Sequence, residues 1–134
     1  MIGDIISILQ GETRVTDLVS ASNIFAIQRK QGTELPAVVV DLIDIKTNET
    51  KHLSSDLDFI TIQVTAYADN PKESYDIADA CRVELDNYVG TVNSTSYEVR
   101  FDDLETGLIP EGETFVTVGE YLVTAKRTSY SPHT

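Results

Sequence analysis

Apolar residues recur at two periods along this chain, and the switches between them mark out its elements. Ile2, Ile5, Ile6 and Leu9 fall at helical spacing, which predicts a short amphipathic helix closed by Gly11. Val15, Leu18 and Val19 predict a further turn of helix on the same core. Asn23-Ile-Phe-Ala-Ile27 is short and rich in strand formers. A polar loop over 28–35 leads to Pro36, which suits the start of a strand because it has no ladder donor to lose. The run AVVVDLIDI that follows reads as a strand with apolar residues on both faces.

Alternation is cleanest over 58–68. Ile60, Ile62, Val64, Ala66 and Ala68 point one way, and Phe59, Thr61, Gln63, Thr65 and Tyr67 the other. One face is expected under helices and the other wet or turned to a partner. Asn70-Pro-Lys-Glu73 then reads as a helix start, with Asn70 as cap, Pro71 in the first position and Glu73 reaching back. Tyr75, Ala78, Cys81, Leu85 and Tyr88 recur at three- and four-residue steps, so they are expected to pack as one stripe. The predicted helix covers about 71–89 and stops at Gly90, with Asp79, Arg82 and Asp86 on its far side. Tyr97, Val99 and Phe101 predict another strand, and 114–127 a last one. The acidic stretch between them, 102–113, holds Gly107, Pro110 and Gly112 and is predicted to be a loop. Residues 1–128 are therefore expected to form a single α+β domain followed by a polar tail, 129–134. Its antiparallel sheet has about four to five strands, with an N-terminal helix and one longer helix packed on one face.

Charge narrows the function. With 22 acidic against 10 basic residues the net charge is −12, which disfavours binding to a phosphate backbone. The apolar runs are too short to cross a bilayer, which takes roughly 20 residues. The stretch MIGDIISIL has no basic n-region, so a signal peptide is not expected. A single cysteine allows no internal disulfide, and no Cys/His cluster points to zinc.

Catalytic patterns are not found. Cys81 lies about three turns into the predicted helix, amid acids, where nothing lowers a thiol pKa. The two histidines, His52 and His133, fall in a polar loop and the tail. Cys81 therefore reads as a small packing residue. Asp56-Leu-Asp58 and Asp102-Asp103 lack the loop of a calcium site, and there is no phosphate-binding glycine loop or nucleophile elbow. Neither a cofactor nor an enzymatic activity is expected.

The order of elements, with several short strings, resembles the tail terminator and tail-completion (tail-to-head joining) proteins of long-tailed bacteriophages. The matching strings are Asn23-Ile-Phe-Ala-Ile27, Glu34-Leu-Pro-Ala-Val-Val-Val40, Ile62-Gln-Val-Thr-Ala-Tyr67 and Ile77-Ala-Asp-Ala-Cys81, with 115–127 as the closing strand. Ala37 follows the Leu-Pro pair where these relatives carry an aromatic residue. The resemblance implies a hexameric ring at the head-proximal end of the tail tube, in the virion and, during assembly, in the host cytoplasm. Its implied partners are copies of itself, the tail tube protein and a head connector or stopper protein, with no specific nucleic-acid binding and no membrane. Strong acidity suits a lumen through which DNA slides. Between the two strongest predicted strands lie Lys46, Thr47, Asn48, Glu49, Thr50, Lys51, His52, Leu53, Ser54, Ser55 and Asp56. That stretch is longer than the usual hairpin loop, and by the resemblance it is the expected assembly interface. The competing reading is a small-molecule-binding α+β domain with its pocket between sheet and helix.

Overall fold

The computed structural model describes residues 2–26, 35–47, 57–109 and 114–127. Helices α1 (Ile2–Gln10) and α2 (Thr13–Thr16) are followed by a 3-10 turn (Ala21–Asn23) and strands β1 (Ile24–Ala26), β2 (Ala37–Thr47) and β3 (Leu57–Ala68). Helix α3 (Pro71–Leu85) leads to β4 (Val89–Val92), β5 (Thr95–Ile109) and β6 (Thr114–Arg127). The strands form one six-stranded sheet in the order β1-β2-β3-β6-β5-β4. Every neighbouring pair is antiparallel except β1 and β2, which run parallel. The α+β class is as expected, but the sheet is larger than the four to five strands predicted and mixed at one edge.

One local feature lengthens a predicted strand, and a second adds a strand that was not predicted. The acidic stretch after Phe101 is strand, not loop, as far as Ile109. A register shift between Phe101 and Asp103 puts Leu104 on the same face as Phe101 and turns Asp103 and Glu105 to the other face. The second feature is β4, which pairs with β5 through a two-residue turn. Asn93 (φ 47°) and Ser94 (φ 65°) both take the left-handed conformation, whose twist suits a tight hairpin.

The helices cover one face. Helix α3 packs on β3, β6 and β5, and α1 on β1 and β2. Ile60, Ile62, Val64 and Ala66 of β3 meet Ile77, Ala78, Cys81 and Leu85 of α3 in a single core with Tyr97, Val99, Tyr121 and Val123. The α3 cap is as read: Asn70 Oδ1 accepts the Glu73 N–H at 2.8 Å, and Asn70 Nδ2 donates to Glu73 Oε2 at 3.3 Å.

The packing stripe needs correction at both ends. Ala78, Cys81 and Leu85 are buried, but Tyr75 is 44% exposed and Ser74 takes the inward position. The Ser74 hydroxyl bonds to the Pro71 carbonyl (3.0 Å) and to the Thr117 hydroxyl (2.9 Å), so a small polar residue fits where the helix closes on β6. At the other end α3 stops at Leu85, and Asp86 is extended. Asp86 Oδ1 accepts the Phe101 N–H at 3.0 Å, and Asn87 turns left-handed (φ 63°). Tyr88 is thus outside the helix, though it still packs against the core.

Candidate assembly surface

Cys81 has no exposed surface, and burial first, then the Glu84 charge, push its pKa up to about 12. A thiol held neutral inside the core is not a nucleophile at physiological pH. His52, His133 and Asp56 lie outside the described residues. No cluster of three or more metal-ligating side chains occurs among the described residues. The space between sheet and α3 is filled by Ile62, Ile77, Cys81 and Leu85, all without exposure. The two depressions described here open on the other face of the sheet or at its β4 end.

Of the stretch predicted as the assembly interface, Lys46 and Thr47 form the end of β2, opposite Phe59 and Asp58. The remainder, residues 48–56, lies outside the described residues. Lys46 Nζ is 4.0 Å from Asp44 Oδ2 in an exposed pair, a contact of little energetic weight.

The helix-free face of the sheet supplies what the sequence reading did not single out. Phe59 (46% exposed) and Leu122 (45%) form an apolar centre there, in a depression also lined by Asp44, Lys46, Glu98 and Arg100. An apolar centre inside a charged rim is the anatomy of a protein contact. The available signal was the triplet Tyr121-Leu-Val123, apolar on both parities. Asp41, Asp103, Glu105 and Glu120 share this face, so acids outnumber bases on it.

Among the described residues, both edges of the sheet are paired over part of their length. Strand β1 pairs with β2 at Val38–Val40 alone, and no described strand pairs with that edge of β2 over 41–47. Leu42, Ile43 and Ile45 are exposed along this stretch. On the far side β4 covers β5 over 95–98, and residues 86–88 continue the cover through Asn87 N–H to Val99 O (2.8 Å) and Val99 N–H to Tyr88 O (2.9 Å). Beyond Phe101 no described strand pairs with the outer edge of β5.

Two contacts tie the peripheral parts to the sheet. Arg82, read as outward-facing, lies over the Phe101 ring at 4.1 Å, and that ring meets Tyr121 edge-on at 5.7 Å. Asp4 of α1 is buried; its Oδ1 accepts from Asn93 Nδ2 at 2.7 Å and its Oδ2 accepts from the Tyr97 hydroxyl. Burial pushes the Asp4 carboxyl up, but the Tyr97 and Asn93 hydrogen bonds more than offset it and hold the pKa below the usual carboxylate value. The same burial and the Asp4 contact push the Tyr97 phenol far up.

No protein-family profile matches the chain, and no curated sequence relative is found. The fold, in contrast, is shared with solved structures. One, from the virion of a native gene transfer agent particle, aligns with a TM-score of 0.73 at 8% identity, over 94% of this chain and 94% of that one. A second aligns with a TM-score of 0.55 at 15% identity over 98% of each chain. At such identities the likeness is one of fold. Among the described residues no helix is long and apolar enough to cross a membrane.

Proposed function

We propose that this protein is a non-enzymatic virion assembly protein, which caps the head-proximal end of a phage tail tube or forms the tail-to-head joint as a hexameric ring. The observation that carries this reading is the fold shared, over nearly all of both chains, with a component of a gene transfer agent virion. The chemistry supports it: the one cysteine is sealed in the core, and the surface centre on the open sheet face has the build of a contact rather than of a reaction site. A net charge of −12 suits a passage for DNA, because it offers the phosphates no net counter-charge to hold them. The proposed partners are further copies of the chain, the tail tube protein, and a connector or stopper on the head. Lys46 and Thr47, with the segment 48–56 that follows, form the proposed contact region towards those partners. The competing pocket between sheet and helix is disfavoured by the filled core.

Negative-stain imaging of the purified protein mixed with tails tests the reading. Rings, or tails capped at one end, are the expected result. Tails that keep growing in its presence, with the protein left as monomers, would overturn it.

A further inference from the structure

Bases are scarce in this chain, and their places on the fold are uneven. In the helix layer Arg14 pairs with Glu84 (2.9 Å), Lys72 pairs with Asp76 (2.7 Å) and Arg82 lies over Phe101. Lys46, Arg100 and Lys126, in contrast, stand together on the helix-free face, around the depression at Phe59 and Leu122. The register sets Lys46 beside Phe59 and Arg100 beside Leu122, so a base flanks each apolar side chain. Asp44 and Glu98 are the acids of this lining, and the bases outnumber them although the chain as a whole carries −12. The remaining acids of the face begin at the rung of Asp41, Gln63, Glu120 and Asp103 and continue away from the depression. The face is thus split into an acidic half and a half with an apolar centre and excess positive charge.

Helix α3 carries the complement on the opposite side of the molecule. Residues 69–86 hold six acids against two bases, and both bases are engaged in the contacts just given. Tyr75 (44% exposed) and Val83 (50%) are the large apolar residues that α3 leaves in solvent. Asp79 lies midway between them, so Tyr75, Asp79 and Val83 follow at four-residue steps along one ridge of the helix. Size agrees as well. The 15 residues of α3 make a rod of about 22 Å, and the strands from β2 to β4 span about 19 Å, so the face is wide enough to seat it.

We infer that α3 of one subunit seats its Tyr75-Asp79-Val83 ridge on the Phe59–Leu122 depression of a second copy. Asp79 and its acidic neighbours then meet Lys46, Arg100 and Lys126, while Tyr75, Val83, Phe59 and Leu122 leave water together. The occupant is a second copy because this chain offers both halves, each with exposed apolar residues and with opposite excess charge. The sheet becomes the middle layer between two helix layers, one of the stable ways to bury such a face. The contact joins two different surfaces, so its repetition closes into a ring or runs on as a filament. It rests on the ring reading above and names the subunit interface.

Charge reversal tests the seat. Arg100→Glu and Asp79→Lys are made singly and together, checked for wild-type folding by circular dichroism, and sized by sedimentation velocity, alone at high concentration and with tails. Lys46→Glu replaces Arg100→Glu should the latter not fold. Wild type should form multimers in at least one sample, more weakly as salt rises. Each single variant should associate at least about tenfold more weakly, because like charges then face each other. The double variant should recover, and so should a one-to-one mixture of the two singles, in which alternating subunits make every contact either natural or doubly reversed. Wild type that stays monomeric in both samples would overturn the seat, as would singles that assemble normally or a double variant that does not recover. Loss through Arg100→Glu with Asp79→Lys unaffected would mean that another acidic protein fills the depression, and would overturn it too. Rings that persist in both single variants would leave the functional reading standing and sink only this contact. Rescued multimers that never cap a tail would do the reverse.

Discussion

The contact between Asp4 and Tyr97 makes a sharp test of how α1 is held, through the variant Tyr97→Phe. The substitution keeps the ring in the core, where Tyr97 is 2% exposed, and removes one oxygen. What remains is a carboxylate, 8% exposed, with Asn93 as its other hydrogen-bond donor in this cluster. A hydrogen bond to a charged group contributes about 1.5–3 kcal/mol, and loss of the donor leaves the carboxylate under-solvated. At roughly 3–5 °C per kcal/mol for a chain of this length, the thermal midpoint at neutral pH should fall by about 5–15 °C. The pH dependence gives the sign. Because the Asp4 pKa is lowered in the folded state, its stabilisation is fully present above the unfolded value near 3.8 and is lost as pH falls through the folded value. The gap between wild type and variant, followed by circular dichroism melts, should therefore be widest at neutral pH and close progressively below about pH 4. An equal gap at both pH values would refute the reasoning, because it would assign the loss to packing instead of to the carboxylate. No gap at neutral pH would show that the Tyr97 hydroxyl contributes nothing to holding α1.

Three further expectations are simpler. Asn70→Ala removes the α3 cap and should cost about 1 kcal/mol in chemical denaturation, within the usual 0.5–2 range, while Asn70→Asp should cost little. Cys81→Ala should fold and assemble with a loss of about 1 kcal/mol, and the native thiol should react with a thiol reagent only on unfolding; full loss of function in a folded variant would restore a chemical role. The purified protein should retain no duplex DNA in a mobility-shift assay even at low salt, and salt-sensitive binding would point to the basic residues Arg29, Lys30, Lys126 and Arg127.

What the sequence discloses and what it hides follow from the range of each interaction. The alternation over 58–68 and the Asn70-Pro71-Glu73 start are local, and both stand in the structure as read. The strand beyond Phe101 was hidden because Asp102, Asp103 and Glu105 argue against a strand by propensity; pairing with β6 overrides that preference. The end of α3 is fixed by Asp86 and the Phe101 N–H, a contact across 15 residues that no helical period announces. Tyr75 and Ser74 differ by one step, about 100° around the helix, so a stripe read from apolar residues alone settled on the wrong neighbour. Asp4 broke an apolar stretch without visible reason, and its reason is Tyr97, 93 residues away. The apolar centre at Phe59 and Leu122 needed two strands placed side by side before it existed.

The position of β6 has a consequence for synthesis. The last strand in the chain is an interior one: it pairs with β3 along one side and with β5 along the other. Until residue 127 has left the ribosome, β2–β3 and β4–β5 can exist only as two separate hairpins, each with a raw edge and an apolar face. A chain that ends before β6 therefore cannot build the continuous sheet. The closing strand is thus the one that joins the two parts of the sheet.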